Sequence, residues 1–419
     1  MIRRNDIEIM APVGSYEALW AAIQGGTNSV YFGIEKMNMR AHSSNNFSFD
    51  DLKEIVTICK EHGVKSYLTV NTIVYDQELP LLHEILDTAK AYDITAVIAS
   101  DIAAIHYARE IGLEVHISTQ VNITNIESLK FYAQYADVVV LARELTLEQV
   151  KAIHNEILKQ DIRGPKGKLI QIEMFVHGAL CMAVSGKCYL SLHEKNHSAN
   201  RGACMQTCRK AYIVTEKESG NELEIDNSYI MSPKDLCTIG FLNKMLDAGV
   251  RVLKIEGRAR PAEYVQTVVK SYSKAITAIE KKEYNQELID ELRKDLATVF
   301  NRGVWDGYYL GQRLGEWSHR YGSRATKRKM YLGKITNYFS KLGVAEILLE
   351  SGSLTPEEEV LVMGPTTGVV KQLVREIRVD RKPVAKAQKR QFCSIATDSL
   401  VRRNDKVYKW VDADKVKQQ

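Results

Sequence analysis

Ile9-Met10-Ala11-Pro12-Val13-Gly14-Ser15 is a short apolar run that ends in a turn, with the helical pattern 16–24 directly after it. An open, doubly wound sheet usually carries a glycine-rich phosphate loop, G-x-G-x-x-G, at this first strand-to-helix turn, and this turn has none. The unit then recurs. Val30-Tyr31-Phe32 precedes the helical pattern 50–62, 66–74 precedes 79–91, and Ala96-Val97-Ile98-Ala99 precedes 102–111. Three more follow: 114–121 with 126–135, 138–141 with 147–158, and the seventh strand, 169–176. Val252-Leu253-Lys254-Ile255 is the eighth, feeding the helix 262–280. β-branched runs that alternate with stretches of apolar period near 3.6 read as strands and helices in turn. Eight such units joined by right-handed crossovers predict an α/β fold, a (β/α)8 TIM-like barrel.

One interval is too long for this rhythm. About 75 residues separate the seventh strand from Val252. Its first part is rich in Cys, Gly, His, Ser and Asn, and it stands where barrels place their chemistry, after the C-terminal end of a strand. Past a helix at 286–300 the pattern changes to period two, with strands expected at 331–338, 342–349, 359–363, 368–376 and 391–396. These predict a small C-terminal all-β barrel. The division expected is a barrel domain, 1–321, holding a Cys-rich insertion, 178–230, and a β-domain, 322–419.

At 419 residues there is room for two cores, and 45% hydrophobic with 26% charged residues is ordinary globular composition. No apolar run approaches the roughly 20 residues of a membrane helix, and Met1-Ile2-Arg3-Arg4-Asn5-Asp6 lacks the apolar stretch of a signal peptide. A cytoplasmic protein without membrane contact is expected. The net charge of +5 is too mild to imply nucleic acid by itself. Basic residues nevertheless gather late in the chain, among them Arg375, Arg378 and Arg381, where they either neutralise phosphates or solvate a β-domain.

Five of seven cysteines fall in one region, as Cys181-x6-Cys188, then Cys204-x3-Cys208, then Cys237 after twenty-eight residues. In a cytoplasmic chain such thiols are metal ligands before they are disulfides. The spacing alone admits an iron–sulfur cluster, zinc, or free thiols. Cys59 and Cys393 sit in helix and strand patterns and read as small core residues. His193-Glu194-Lys195-Asn196-His197 matches the H-E-x-x-H zinc-protease pattern, which works only on a helix. Its Ser/Asn/Gly-rich surroundings predict a solvated loop instead. Polar residues at the strand ends should converge over the mouth, with Arg143 and Arg258 suited to carboxylates, and Lys254 and Glu173 suited to an ion pair within the barrel.

The stretch from Glu173-Met174-Phe175-Val176-His177-Gly178-Ala179-Leu180-Cys181 to Ser185-Gly186-Lys187-Cys188-Tyr189-Leu190-Ser191 resembles the signature of peptidase family U32, the collagenase-like proteases. Asn200-Arg201-Gly202-Ala203-Cys204-Met205-Gln206-Thr207-Cys208-Arg209, Met231-Ser232-Pro233-Lys234-Asp235-Leu236 and Leu253-Lys254-Ile255-Glu256-Gly257-Arg258 resemble three further blocks. The resemblance is strongest to the branch that forms 5-hydroxyuridine at the wobble position of tRNA, a pathway in which prephenate is implicated. It implies a 4Fe-4S cluster on Cys181, Cys188, Cys204 and Cys208, with Cys237 extra. It also implies tRNA and an acidic, prephenate-like small molecule as partners, and leaves room for a partner subunit. Glu173, His177, Arg143 and Arg258 are the residues expected to orient reacting groups, and Arg375, Arg378 and Arg381 those expected to hold RNA. Two other functions stay open: a peptidase, as the family name says, and a non-catalytic, cluster-bearing scaffold.

Overall fold

The computed structural model describes residues 3–41, 46–213, 231–311, 315–319 and 322–416. The part of the expected insertion at 214–230 lies outside the described residues, as does the expected domain boundary at 320–321.

The barrel strands are β1 (Glu8–Pro12), β2 (Ser29–Phe32), β3 (Lys65–Val70), β4 (Ala96–Ala99), β5 (Val115–Ile117), β6 (Val138–Val140) and β7 (Gln171–Gly178), followed by β8 (Asp235–Cys237) and β9 (Val250–Ile255). Each of β1 to β6 pairs in parallel with the next. Leu253 on β9 faces Ile9 of β1 on one side and Met174 of β7 on the other, so β9 closes the ring as its eighth strand. β8 stays outside it, antiparallel to the end of β7. This three-residue strand, which was not among the eight expected, extends the sheet beside the mouth. Three residues carry too little periodicity to be read as a strand.

Alternation along the strands divides the apolar residues. Met10, Tyr31, Tyr67, Ala96, Ile98, Val138 and Val252 form a packed plug inside the ring, as parallel barrels require. Neighbours such as Ile9, Val30, Leu68 and Leu253 face a second core under the helices. Four of the barrel helices begin on a capping side chain. The Ser15, Asp101, Asn125 and Thr146 side chains accept the orphan amides that open α1 (Tyr16–Gly25), α2 (Ile102–Glu110), α3 (Ile126–Ala133) and α4 (Leu147–Lys159). The long α5 (Ala262–Lys281) buries one face, including Tyr264 and Tyr272, against the barrel.

The C-terminal domain is antiparallel. β10 (Lys327–Phe339), β11 (Val344–Leu349), β12 (Glu359–Gly364), β13 (Gly368–Leu373), β14 (Phe392–Ala396) and β15 (Lys406–Asp412) carry most of its sheet. They send Ile335, Ile347, Val362, Val370, Ile395 and Val407 into one shared core. The burial of β11 alternates perfectly, as its sequence predicts. Two details differ from expectation. β10 starts at Lys327, four residues before the strand expected at 331–338, with Lys327 and Lys329 held by Glu359 and Glu263. β15 was not expected, yet it lies between β12 and β10 at the centre of the sheet. Its buried Val407 and Trp410 are three residues apart and belong to different cores, so no simple alternation marks the strand. Gln24 on α1 and Gln266 on α5 both donate to backbone carbonyls of the 367–369 segment and join the domains.

Candidate functional site

β9 shows how the barrel interior is layered. Lys254 lies 2.6 Å from Glu173, and both are buried. Burial opposes a charge on Glu173, but Lys254 and His116 outweigh it and hold the carboxyl below its ordinary range. The two nitrogens of His116 lie 3.7 Å from Glu173 and 3.8 Å from Glu114. Burial lowers the affinity of this imidazole for a proton, and the two carboxylates more than restore it, so its pKa is raised. The floor is thus balanced: cations and carboxylates answer one another.

Two residues further along, Glu256 meets an excess of positive charge. Arg40, from the loop after β2, donates to its carboxylate at 3.0 Å. Arg40, Arg143 and Arg258 together overcome the burial that opposes its charge. Arg258 donates to Thr69 Oγ1 at 3.0 Å, and burial lowers its pKa to about 10. Gly33 makes that approach possible, because a Cβ there would meet the Arg258 guanidinium and the Asn38 side chain at 2.5 and 2.6 Å. Arg143 lies 3.9 Å above the Phe175 ring, and its Nε has no hydrogen-bond partner among the described residues. Arg40, Arg143, Arg258 and the Glu256 carboxylate therefore face one open cavity of about 170 Å³, which Arg209 and Lys254 also line. Arg40 was not singled out in the sequence, since its loop carries no strand or helix pattern to place it.

All four of the expected thiols open onto the same cavity: Cys181, Cys188, Cys204 and Cys208. They arrive on a stapled loop. Arg209 donates to the carbonyls of Leu180 and Pro233 at 2.6 and 2.7 Å. Asn122 reaches the Ser185 carbonyl at 2.7 Å, and the Met205 amide donates to Ser191 Oγ at 3.0 Å. Gly178, at φ +104°, starts the loop where a side chain would collide with the Glu256 carbonyl. Burial pushes the Cys188 and Cys208 thiols up, and the nearness of Cys181 and Cys204 pushes the same way. Among the described residues no three His, Cys, Asp or Glu side chains gather tightly enough to share a single metal ion. The four thiols share the lining of the one cavity. Cys237 is buried away from them beside Tyr272, and burial raises its pKa to about 11.

Two expected site residues lie elsewhere. Glu173 belongs to the floor, beneath the cavity wall. His177, where β7 is irregular, turns out of the ring to rest between Tyr264 and Tyr272 of α5, with ring centroids 5.9 and 5.8 Å away. Burial lowers its pKa to about 4. The H-E-x-x-H segment is not the loop expected: α6 (Leu190–Lys195) contains His193. The helix stops at Asn196, which is left-handed at φ 54°, so His197 leaves the helical face the zinc pattern requires. Glu194 is occupied by Lys210. Arg375, Arg378 and Arg381 are all exposed in the C-terminal domain, Arg378 pairing with Glu376 at 2.5 Å.

Fold and site together define a (β/α)8-barrel protein with a thiol-lined, cationic mouth and an antiparallel C-terminal domain. The model of peptidase family U32 matches residues 14–319, and the chain belongs to that family. It is 61% identical to a Porphyromonas gingivalis protein named collagenase, over 97% of this chain and 98% of that one. It is 32% identical to tRNA hydroxylation protein P1 of Bacillus subtilis, over 79% of this chain and 77% of that one. It is also 32% identical to the Escherichia coli 23S rRNA 5-hydroxycytidine C2501 synthase, over 75% of this chain and 47% of that protein. Among the described residues no helix is long and apolar enough to cross a membrane.

Proposed function

We propose that this protein is an iron–sulfur-dependent RNA-modifying enzyme that hydroxylates the wobble uridine of tRNA at its 5-position. One observation carries the reading: four cysteines and four arginines line a single cavity at the C-terminal face of the barrel. Soft thiolates that share the lining of one cavity suit a polynuclear iron–sulfur body, which spans more space than one ion. Cys181, Cys188, Cys204 and Cys208 would hold a 4Fe-4S cluster, which when bound supplies redox or Lewis-acid chemistry. Its positive charge would reverse the upward push that Cys188 and Cys208 otherwise feel.

The protein's own groups do the rest. Arg143 and Arg258 are placed to clamp an anion, either an acidic, prephenate-like molecule or a phosphate of the RNA. Glu256 holds Arg40 and keeps that surplus charge in register. Arg375, Arg378 and Arg381 would hold the RNA body through phosphates, which fix position without reading sequence. The relatives named for tRNA and rRNA hydroxylation support an RNA substrate.

The peptidase reading is favoured by the 61% identity to the protein named collagenase. Against it, no histidine is among the residues lining the cavity, so no imidazole base faces a nucleophile there among the described residues. The open cavity also disfavours a scaffold with an occluded mouth. Mass spectrometry of tRNA nucleosides decides among these, in a host lacking this gene and any redundant pathway. The modified uridine should fall, and recover with the wild-type gene but not with Cys204→Ala. Unchanged nucleosides, together with collagen cleavage by the purified protein, would establish the peptidase instead.

A further inference from the structure

The Cys-rich loop beside the mouth, and the segment it packs on, carry large apolar side chains that face solvent. Tyr189 is 69% exposed and Tyr75 57%. Met182, Leu192 and Met205 are also exposed. Water disfavours such a concentration, and a rim of this kind marks a contact surface. Its position ties it to the cavity. Tyr189 lies between Cys188 and Leu190, and Met205 between Cys204 and Gln206, four residues that line the wall. Tyr75 is held to the same loop by Arg201, whose guanidinium sits 3.7 Å over its ring while pairing with Glu78 at 2.7 Å. The ring is thereby fixed in orientation while more than half of it stays in solvent.

The charge around the rim identifies the occupant. Between Cys181 and Tyr212 the exposed Lys187, Lys195 and Lys210 stand against the single acid Glu194, while Arg201 is paired with Glu78 and Arg209 is half-buried on backbone carbonyls. Exposed aromatic rings set in a basic surface are how proteins hold unpaired nucleic acid, bases stacking on rings while cations follow the phosphates. A base must also leave its stack before chemistry can reach it.

We propose that Tyr75 and Tyr189 form a stacking platform for unpaired nucleobases of RNA at the barrel mouth. The proposal rests on the RNA reading above and adds to it the residues that receive the strand. The platform holds the nucleotides beside the target base, and Lys187 and Lys210 lie along the backbone.

Fluorescence anisotropy with a labelled single-stranded oligouridylate, using the full chain purified without oxygen, tests it. Tyr75→Ala and Tyr189→Ala should each weaken binding roughly 5- to 100-fold. Tyr75→Trp and Tyr189→Trp should keep or strengthen it, because a larger ring stacks at least as well. A fully paired RNA duplex should bind all variants alike. Iron content and thermal unfolding are read alongside, and because Tyr75 is not beside a thiol it separates stacking from loss of a cluster. Wild type that binds the oligonucleotide while both alanine variants bind it equally well overturns the platform and leaves the RNA reading standing. Failure of wild type to bind any RNA at low salt overturns both. Alanine variants that lose a collagen-like peptide but keep RNA assign the rim to a polypeptide, and also overturn it.

Discussion

Lys254 and Glu256 are two residues apart on one strand, yet they belong to opposite regimes. At the floor, Lys254 meets Glu173 at 2.6 Å within a set that includes buried His116 and partly exposed Glu114. At the mouth, Glu256 is the one carboxylate facing Arg40, Arg143 and Arg258. The floor satisfies its charges from within, which is what a structural core needs. The mouth retains surplus positive charge in a partly dry site, where a cation is worth more than in water. Such an excess has a use only when an anion arrives. The contrast therefore separates residues that hold the barrel together from those that hold a ligand, although both sets read simply as polar strand ends in the sequence.

Breaking the floor should have the largest effect. Glu173→Ala leaves Lys254 buried without its partner and should cost about 3–5 kcal/mol in denaturant unfolding. Replacing Glu173 and Lys254 together by methionines should recover much of that loss. A Glu173→Ala variant as stable as wild type would show that the pair is not structural.

Two buried histidines give a smaller, pH-dependent version of the same test. His177 is held neutral, its pKa lowered to about 4. The unfolded chain then binds more protons than the folded one as pH falls from about 6.5 toward 4, and stability should drop by up to about 3 kcal/mol. His116 has the opposite sign, because its folded pKa is raised. Its contribution is full below about 6.5 and is lost as pH rises through the folded value. Stability should therefore peak near neutrality. His177→Gln should flatten the acid flank, and His116→Gln the alkaline one.

At the mouth the expectation is reversed: function changes while stability does not. Arg143→Met keeps contact with Phe175 and should alter unfolding by less than about 1 kcal/mol. Nucleoside formation should fall roughly a hundredfold, the loss typical when one preorganised charge is removed from an active site. Large destabilisation with normal activity would place Arg143 with the floor. The weakest effects belong to the exposed C-terminal arginines. Changing Arg375, Arg378 and Arg381 to glutamate should weaken tRNA binding and reduce its salt slope by up to about three, with iron content unchanged. An unchanged slope would mean that this face only solvates the domain.

Much of this was legible in the sequence. Parallel strands buried on both faces announce themselves as apolar runs, which is why the eight barrel strands could be placed and why Cys181, Cys188, Cys204 and Cys208 fell together on one loop. Alternation likewise gave β11. Long-range register was not legible. His177 lies an even number of residues from Glu173 and Phe175, which should place all three side chains on one face, but the irregular pairing of β7 with β9 turns the imidazole outward. Arg40 arrives at Glu256 through tertiary contact alone, separated from it by more than two hundred residues. The end of α6 at Asn196 depends on a left-handed backbone that no motif records, and it is what removes the zinc-protease geometry.

Whether the four-thiol mouth holds an iron–sulfur cluster is decided by iron and sulfide analysis of protein purified without oxygen, read with its absorption spectrum. The protein should be brown, with broad sulfur-to-iron charge-transfer absorption and matching iron and sulfide, lost in Cys204→Ala and kept in Cys59→Ala. Stoichiometric zinc without sulfide in the wild-type protein would contradict the cluster.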